Sequence, residues 1–213
     1  MEQPLQPSRV IGAGRGALIL AMAGAGWLGW GLSVAQVYNA VVAPIFGTVA
    51  ISLWGWSIYV MRTGRALHRQ LPASSLPLSQ FPSRSFVVVL VTEGLAVVLV
   101  ILFAAGHAHR PDLATDGCAL VIGLHYIPLA RIFRAPKLAA LGILIALWCI
   151  LSWVFFRTST LVVAVTAGTG ILMWATAVAV LLWARSAARM LRANPSVLRA
   201  ANANEAIVDS PCI

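Results

Sequence analysis

Long apolar stretches follow one another along the chain, and each is ended by charged residues, proline or a polar cluster. A helix needs roughly 20 apolar residues to cross a hydrocarbon core about 30 Å thick. Six stretches approach or exceed this length, and the fourth is the shortest. We therefore predict an all-α polytopic membrane protein, a bundle of six transmembrane helices. The predicted spans are residues 13–34, 37–60, 86–106, 118–134, 137–156 and 160–184.

The segments around these spans predict the domain organisation. Residues 1–12 form a cytoplasmic N-terminal tail, and residues 13–184 form a single transmembrane helical domain. The longest connection, 62–85, contains Pro and Ser near its middle and predicts a flexible cytoplasmic loop. Residues 185–213 begin with Arg at helical spacing, which predicts a basic extension of the sixth helix against anionic headgroups, and end as a disordered tail.

The composition indicates that lipid surrounds the chain. Apolar residues make up 60% of it, charged residues only 10%, and the mean hydropathy is +0.89. Soluble domains are about half apolar and a quarter charged. Six spans in 213 residues leave no room for a separate soluble catalytic domain. The lipid bilayer is therefore the first partner that the sequence predicts.

The net charge of +9 lies in the segments between the predicted spans. In a soluble protein such charge suggests nucleic acid, but a membrane protein places it on the cytoplasmic side. Thirteen basic residues fall inside if the N-terminus is cytoplasmic, and two, Arg110 and Arg157, fall outside. We therefore predict cytoplasmic N- and C-termini and no nucleic-acid partner. Lys137 is the single lysine, and this bias towards Arg indicates a GC-rich bacterial genome and the bacterial inner membrane.

One alternative concerns the first span. Arg9 and Arg15 precede an apolar run that ends in Ser33-Val34-Ala35, which resembles a signal-peptidase site. Cleavage there would leave five spans. The run is long for a signal-peptide core and the next span follows almost at once, so we favour a retained first span.

Glu93 is the only acidic residue within a predicted span. A carboxylate in hydrocarbon is energetically costly, so such groups face the bundle interior, find a partner and are commonly functional. The predicted partner is His125. At 1.5 Å per residue, Glu93 lies about 10 Å and His125 about 13 Å from the inner ends of their spans. The two side chains meet if the third and fourth helices pack, and Thr92 and Tyr126 complete this intramembrane polar centre.

Two roles are open for this centre. A carboxyl group beside an imidazole forms a proton site, because His titrates near neutral pH and each group changes the proton affinity of the other. The alternative is a structural hydrogen bond that locks two helices and contributes about 1 kcal/mol. Arg131 is interpreted as an interfacial anchor rather than as a member of the centre.

Two prolines are predicted to kink their helices, because proline has no amide hydrogen to donate. Pro44 would free the carbonyl of Ala40 in the second span, and Pro128 would free that of Leu124 in the fourth. The freed Leu124 carbonyl would add a polar group beside the predicted centre.

The segment 123–130 reads Gly-x-His-aromatic-x-Pro-Leu-Ala and is followed by Phe133. This pattern resembles a segment of small, uncharacterised bacterial multi-spanning membrane proteins. The resemblance covers a small part of the chain and implies no activity. It directs attention to His125 and Pro128.

Small residues repeat every four positions on two spans, a pattern typical of close helix contact in lipid. They are Ala21, Ala25 and Gly29 in the first span, and Ala164 and Gly168 in the sixth. These faces predict packing within the bundle or between subunits. A homo-oligomer or a membrane-protein partner is therefore one expected use of them.

The predicted outer loop between the third and fourth spans carries side chains of types that bind Zn²⁺ or Cu²⁺. They are His107, His109 and Asp112, with Asp116 following. Arg110 lies among them and no ligand spacing repeats, so we predict a hydrated loop and no metal site. Haem with two axial histidines would need a second intramembrane histidine beside His125. We predict no cofactor.

Three classes of function are weighed. The leading hypothesis is a small proton-linked transporter that binds a proton and a hydrophobic or cationic solute at the Glu93/His125 centre. The alternative is a non-transporting membrane partner, immunity factor or sensor subunit that acts through helix contacts. An enzyme is not expected, because the spans hold no Ser/His dyad at one depth, no HExxH and no clustered carboxylates.

Overall fold

The computed structural model describes residues 6–70, 84–107, 111–132 and 135–193. These residues form six α-helices and no strand. The helices are α1 (Pro7–Val34), α2 (Val42–His68), α3 (Arg84–Leu102), α4 (Pro111–Ile132), α5 (Pro136–Phe155) and α6 (Thr158–Ala193). A π-helical turn, Phe103–His107, follows α3. The prediction of six helices in an all-α chain is confirmed.

Five of the six helices are long and apolar enough to cross a membrane, and α3 is the exception. Its apolar stretch, Val87–Leu102, is about 24 Å long at 1.5 Å per residue. The hydropathy pattern indicates the fourth span as the shortest, whereas α4 has 22 residues. The described residues therefore form a multi-pass membrane protein, in which α3, with 19 residues, is directly continued by the π-helical turn to His107.

Helix α4 begins at Pro111, seven residues before the predicted start at residue 118. The first amide groups of a helix have no intrahelical acceptor, so proline is favoured there. The apolar run begins later than the helix, because the first two turns of α4 carry polar residues. Asp116 consequently lies within a helix, which corrects its predicted place in an outer loop.

The predicted cytoplasmic loop 62–85 and the two predicted tails also change at their edges. Helix α2 continues to His68, so the first seven residues of that loop are helical. Helix α1 begins at Pro7, inside the predicted tail 1–12. Helix α6 continues to Ala193, as predicted for the basic extension. The predicted disordered tail lies outside the described residues.

A hydrogen-bonded cap ends α1. The Val37 amide donates to the Leu32 carbonyl at 3.2 Å, and the Gln36 amide donates to the Ser33 carbonyl at 3.1 Å. Gln36 has a φ of 55°, the left-handed conformation that this cap requires. The alternative cleavage site, residues 33–35, therefore lies at the capped end of a helix.

An asparagine starts α2. The Asn39 Oδ1 atom accepts hydrogen bonds from the amides of Val41 and Val42 at 3.0 and 2.9 Å. Pro44 is the third residue of α2. The amides on either side of it, of Ala43 and Ile45, already donate to the carbonyls four residues before them. Pro44 has no amide hydrogen, so the Ala40 carbonyl lacks its helical donor, and the kink at this point stays a prediction.

The described residues fall into two compact units, and α1, α2 and α6 each contribute to both. The first unit comprises the described residues within Met1–Ala21, Val49–Gln80 and Ala177–Ile213. The second comprises Met22–Thr48 and Phe81–Thr176. Helices α3, α4 and α5 belong to the second unit, which contains the predicted polar centre.

Close contact of α1 and α2 organises the first unit. A Cβ atom added at Gly14 would meet Met61, and one added at Gly64 would meet Ile11. The two helices approach closely because glycine has no side chain at these points. The core also contains buried apolar residues from all three contributing segments: Val10, Leu53, Val60, Leu67, Leu181 and Leu191.

Helix α4 is flanked by α3 and α5 in the second unit. A Cβ atom added at Gly117 would meet Val100 of α3. On the α5 side, a Cβ atom added at Gly123 would lie 3.1 Å from the Gly142 carbonyl oxygen. These contacts place α4 where its polar side chains face two neighbouring helices.

Candidate intramembrane polar site

The carboxylate of Glu93 and the imidazole of His125 meet between α3 and α4. Glu93 Oε2 lies 3.0 Å from His125 Nδ1. The two side chains are 19% and 11% exposed, respectively, so most of each is enclosed by protein. The structure thus brings together two residues for which the sequence predicts similar depths in the membrane.

This contact is close but does not form an aligned hydrogen bond. His125 Nδ1 is buried and makes no hydrogen bond within the described part of the chain. A hydrogen bond requires direction as well as distance, and a buried polar atom without one is costly. The contact itself is therefore shown, whereas both roles considered above, a proton site and a structural contact between two helices, stay predictions.

Tyr126 belongs to the surroundings of this pair, whereas Thr92 does not. The Tyr126 ring meets the His125 ring edge-on, with 5.8 Å between centroids and an interplanar angle of 74°. Its phenol also lies within electrostatic range of Glu93. Thr92 is exposed on α3. The intramembrane polar centre therefore consists of Glu93, His125 and Tyr126.

Pro128 lies inside α4, as predicted. It has no amide hydrogen, so the Leu124 carbonyl lacks its helical donor, and the kink at this point stays a prediction. Arg131, one turn further on, is exposed. It lines an open cleft of about 430 Å³ with Ile127, Ala130, Pro136 and Ala139. Arg131 is thus a surface residue and not a member of the centre.

A second buried polar contact, between α4 and α5, is one that the sequence reasoning missed. The thiol of Cys149 donates a hydrogen bond to the Asp116 carboxylate, and Cys149 is only 1% exposed. The hydropathy pattern places Asp116 outside the membrane because the apolar run starts at residue 118. Pro111 is the signal for an earlier helix start, since proline favours the first helical position.

The predicted small-residue face of α6 packs against α5. A Cβ atom added at Gly168 would overlap the indole of Trp148. The Trp148 Nε1 group donates a hydrogen bond to the Ala164 carbonyl at 2.9 Å. The small residues therefore make room for a tryptophan of the same chain.

The predicted face of α1 is also used within the chain. Ala21 is fully buried, and Ala25 is half-buried. A Cβ atom added at Gly29 would lie 3.7 Å from the Phe46 ring of α2. Much of this face is therefore covered by neighbouring segments of the same chain.

Among the described residues, no group of three or more His, Cys, Asp or Glu side chains is placed to hold a metal ion. His109 lies outside the described residues, as do the side chains of His107 and Asp112. The absence of a metal site at the predicted loop therefore stays a prediction.

Comparison of the chain with protein-family models, with curated proteins and with solved structures gave no match. The resemblance of segment 123–130 to small bacterial membrane proteins consequently stays an expectation. Function has to be inferred from the two polar contacts on α4.

Proposed function

We propose that this protein is a small proton-linked transporter of a hydrophobic or cationic solute, with Glu93 and His125 as the proton site. The observation that carries the proposal is the 3.0 Å contact between Glu93 Oε2 and His125 Nδ1 within membrane helices. Intramembrane ionisable residues mark substrate pathways and proton relays in transporters.

The chemistry at this site is an exchange at one carboxylate. When the Glu93 O–H bond breaks, the proton leaves the pair for water, directly or by way of the His125 imidazole, and the carboxylate becomes a site for a cation. A bound cationic solute then neutralises the carboxylate in place of the proton. Return of a proton to the carboxylate releases the solute. The two ligands compete for one site, so movement of one is linked to movement of the other.

The surroundings of Glu93 favour a hydrophobic solute over a strongly hydrated one. Val91, Leu95 and Val98 of α3 are exposed apolar side chains close to Glu93 in sequence. Glu93 itself retains 19% exposure. A solute that dissolves in lipid can approach this helix sideways, without a wide aqueous pore.

Transport in proteoliposomes tests the proposal. The purified protein is reconstituted, a pH gradient is imposed, and uptake of the lipophilic cation tetraphenylphosphonium is measured against empty liposomes at matched membrane potential. Wild-type protein is expected to show pH-gradient-driven uptake, and Glu93→Gln is expected to lose at least tenfold of the rate. This loss follows because the amide can neither bind a proton nor pair with a cation at this site.

Thr92→Val is the matched control. Thr92 adjoins Glu93 on α3 but is exposed and lies outside the polar centre. Its substitution is expected to leave the uptake rate unchanged. Equal uptake by wild type and Glu93→Gln, or uptake no faster than in empty liposomes, would overturn the proposal.

A further inference from the structure

The contact between Asp116 and Cys149 leaves part of the carboxylate unsatisfied. Cys149 donates its thiol hydrogen to this group. The Oδ1 atom of Asp116 is buried, yet it has no hydrogen-bond partner in the described part of the chain. An unsatisfied buried polar atom costs about 1–3 kcal/mol, and more if it is charged. The described side chains alone therefore do not complete this site.

Ser152 contributes a second unsatisfied atom on the same side of α5. It follows Cys149 by three residues, which places both side chains on one face of the helix. Ser152 is 1% exposed, and its Oγ atom also lacks a hydrogen-bond partner among the described residues. This buried face includes Gly142, which meets Gly123 of α4. An unpartnered acceptor of α4 and an unpartnered hydroxyl of α5 thus lie along one helix interface.

The chemistry of these groups selects the ligand. Hard divalent cations such as Ca²⁺ take about six to eight oxygen ligands, whereas this site offers one carboxylate and one hydroxyl. A thiol is a poor ligand for such ions. A proton needs a single oxygen, and it converts a carboxylate from an acceptor only into a donor. The Ser152 hydroxyl can accept the hydrogen bond that this donor makes.

We infer that Asp116 is a second proton-binding site within the membrane helices. The neutral carboxyl donates from Oδ1 towards Ser152 Oγ through one water molecule, while the Cys149 thiol donates to the other oxygen. One proton and this water molecule then satisfy both of the orphaned atoms. On α4, nine residues separate Asp116 from His125, a distance of about 13 Å. The site therefore stands apart from the Glu93 centre and does not depend on it.

Among the side chains that the structure describes, few other titratable groups face Asp116. Among the described side chains of α5, the only titratable groups are Cys149 and Lys137, and Lys137 lies at the opposite end of that helix. On α3, the described side chains include one titratable group, Glu93, and its carboxylate contacts His125 instead. On α4 itself, Cys118 is the nearest one described.

Infrared spectroscopy of the purified protein tests this inference. The chain has six acidic residues, and those in water are ionised at pH 7, so a carbonyl-stretch band of a protonated carboxyl group stands out. We expect such a band in wild type at pH 7 and its loss in Asp116→Asn. We expect Ser152→Ala to shift the band to higher wavenumber, because the carboxyl proton loses its acceptor.

Three comparisons keep the test decisive. Ser186→Ala, at an exposed serine whose hydroxyl donates to Leu182, should leave the band unchanged. Glu93→Gln should also retain it, so a failure of the transport proposal is distinguishable from a failure here. If Asp116→Asn does not fold, the Ser152→Ala shift still tests the site. Absence at pH 7 of a band that responds to either substitution would overturn the inference.

Discussion

Two carboxylates, Glu93 and Asp116, lie within helices that pack together, and neither is fully satisfied. Glu93 is 3.0 Å from His125 Nδ1 without an aligned hydrogen bond. Asp116 accepts a thiol hydrogen bond but has a second oxygen with no partner among the described residues. A buried polar atom without a hydrogen bond costs about 1–3 kcal/mol, and more if it is charged. Both carboxylates are incompletely paired in spite of this free-energy cost. This is the physical reason to assign these residues to function.

The glycine contact between α4 and α5 supports the geometry around Tyr126 and gives a stability prediction. A Cβ atom added at Gly142 would overlap the Gly123 carbonyl oxygen and lie 3.1 Å from the Tyr126 Cβ. Backbone atoms cannot move aside as a flexible side chain can. We therefore expect Gly142→Ala to destabilise the protein by about 1–3 kcal/mol. A thermal unfolding experiment in detergent should show a lower melting temperature.

Gly94→Ala is the control for this substitution. Gly94 also lies inside a helix, but nothing lies within 4 Å of an added Cβ atom there. Alanine is a better helix former than glycine by up to about 1 kcal/mol. The melting temperature of Gly94→Ala should equal or exceed that of wild type. Equal melting of both variants would contradict the close helix contact.

Part of the candidate site can be predicted from sequence, and the rest depends on side-chain direction. Depth along the spans predicts that Glu93 and His125 lie at similar levels. Depth does not show that the Tyr126 side chain belongs to the polar centre, nor that the Thr92 side chain is exposed. Adjacent helical residues point about 100° apart, and α3 is apolar on nearly all sides, so hydropathy cannot show which side faces α4.

At the scale of helices, capping residues rather than apolar runs set the ends. Asn39 caps the start of α2, and Pro111 begins α4, in each case among residues that are not uniformly apolar. Helix α6 has 36 residues and is about 54 Å long, well beyond a hydrocarbon core of about 30 Å. Hydropathy predicts the number of helices because each one has an apolar middle. It misplaces their ends, since helices continue into polar surroundings.

Whether α3 crosses the bilayer decides the topology of the whole molecule. Six crossings place both termini on one side of the membrane, whereas five place them on opposite sides. The apolar stretch of α3 is about 24 Å long, and the π-helical turn Phe103–His107 extends it. The distribution of basic residues, thirteen against two, favours six crossings with cytoplasmic termini.

Reporter fusions in bacteria test this topology. We expect green fluorescent protein to fluoresce, and alkaline phosphatase to be inactive, when either is joined after residue 75 or at the C-terminus. A fusion after residue 109 should give the reverse pattern. The activity of both reporters depends on the side of the membrane on which they lie. Alkaline phosphatase, for example, needs disulfides that form outside the cytoplasm.

The fusions after residues 75 and 109 flank α3 and serve as controls for each other. If both report the same side, α3 does not cross the bilayer. The Glu93/His125 contact would then lie in a re-entrant or interfacial helix. An external C-terminus with an internal N-terminus would give the same conclusion independently.

The most direct test of a functional Glu93 is the thermal stability of Glu93→Gln and wild type in detergent from pH 5 to pH 8. The pair forms no aligned hydrogen bond, so removal of the charged group should relieve a desolvation cost without loss of a structural bond. We expect Glu93→Gln to melt at the same temperature as wild type or above it throughout this range. If it melts well below wild type at every pH, Glu93 is a structural contact between α3 and α4, and the assignment to proton-linked transport is contradicted.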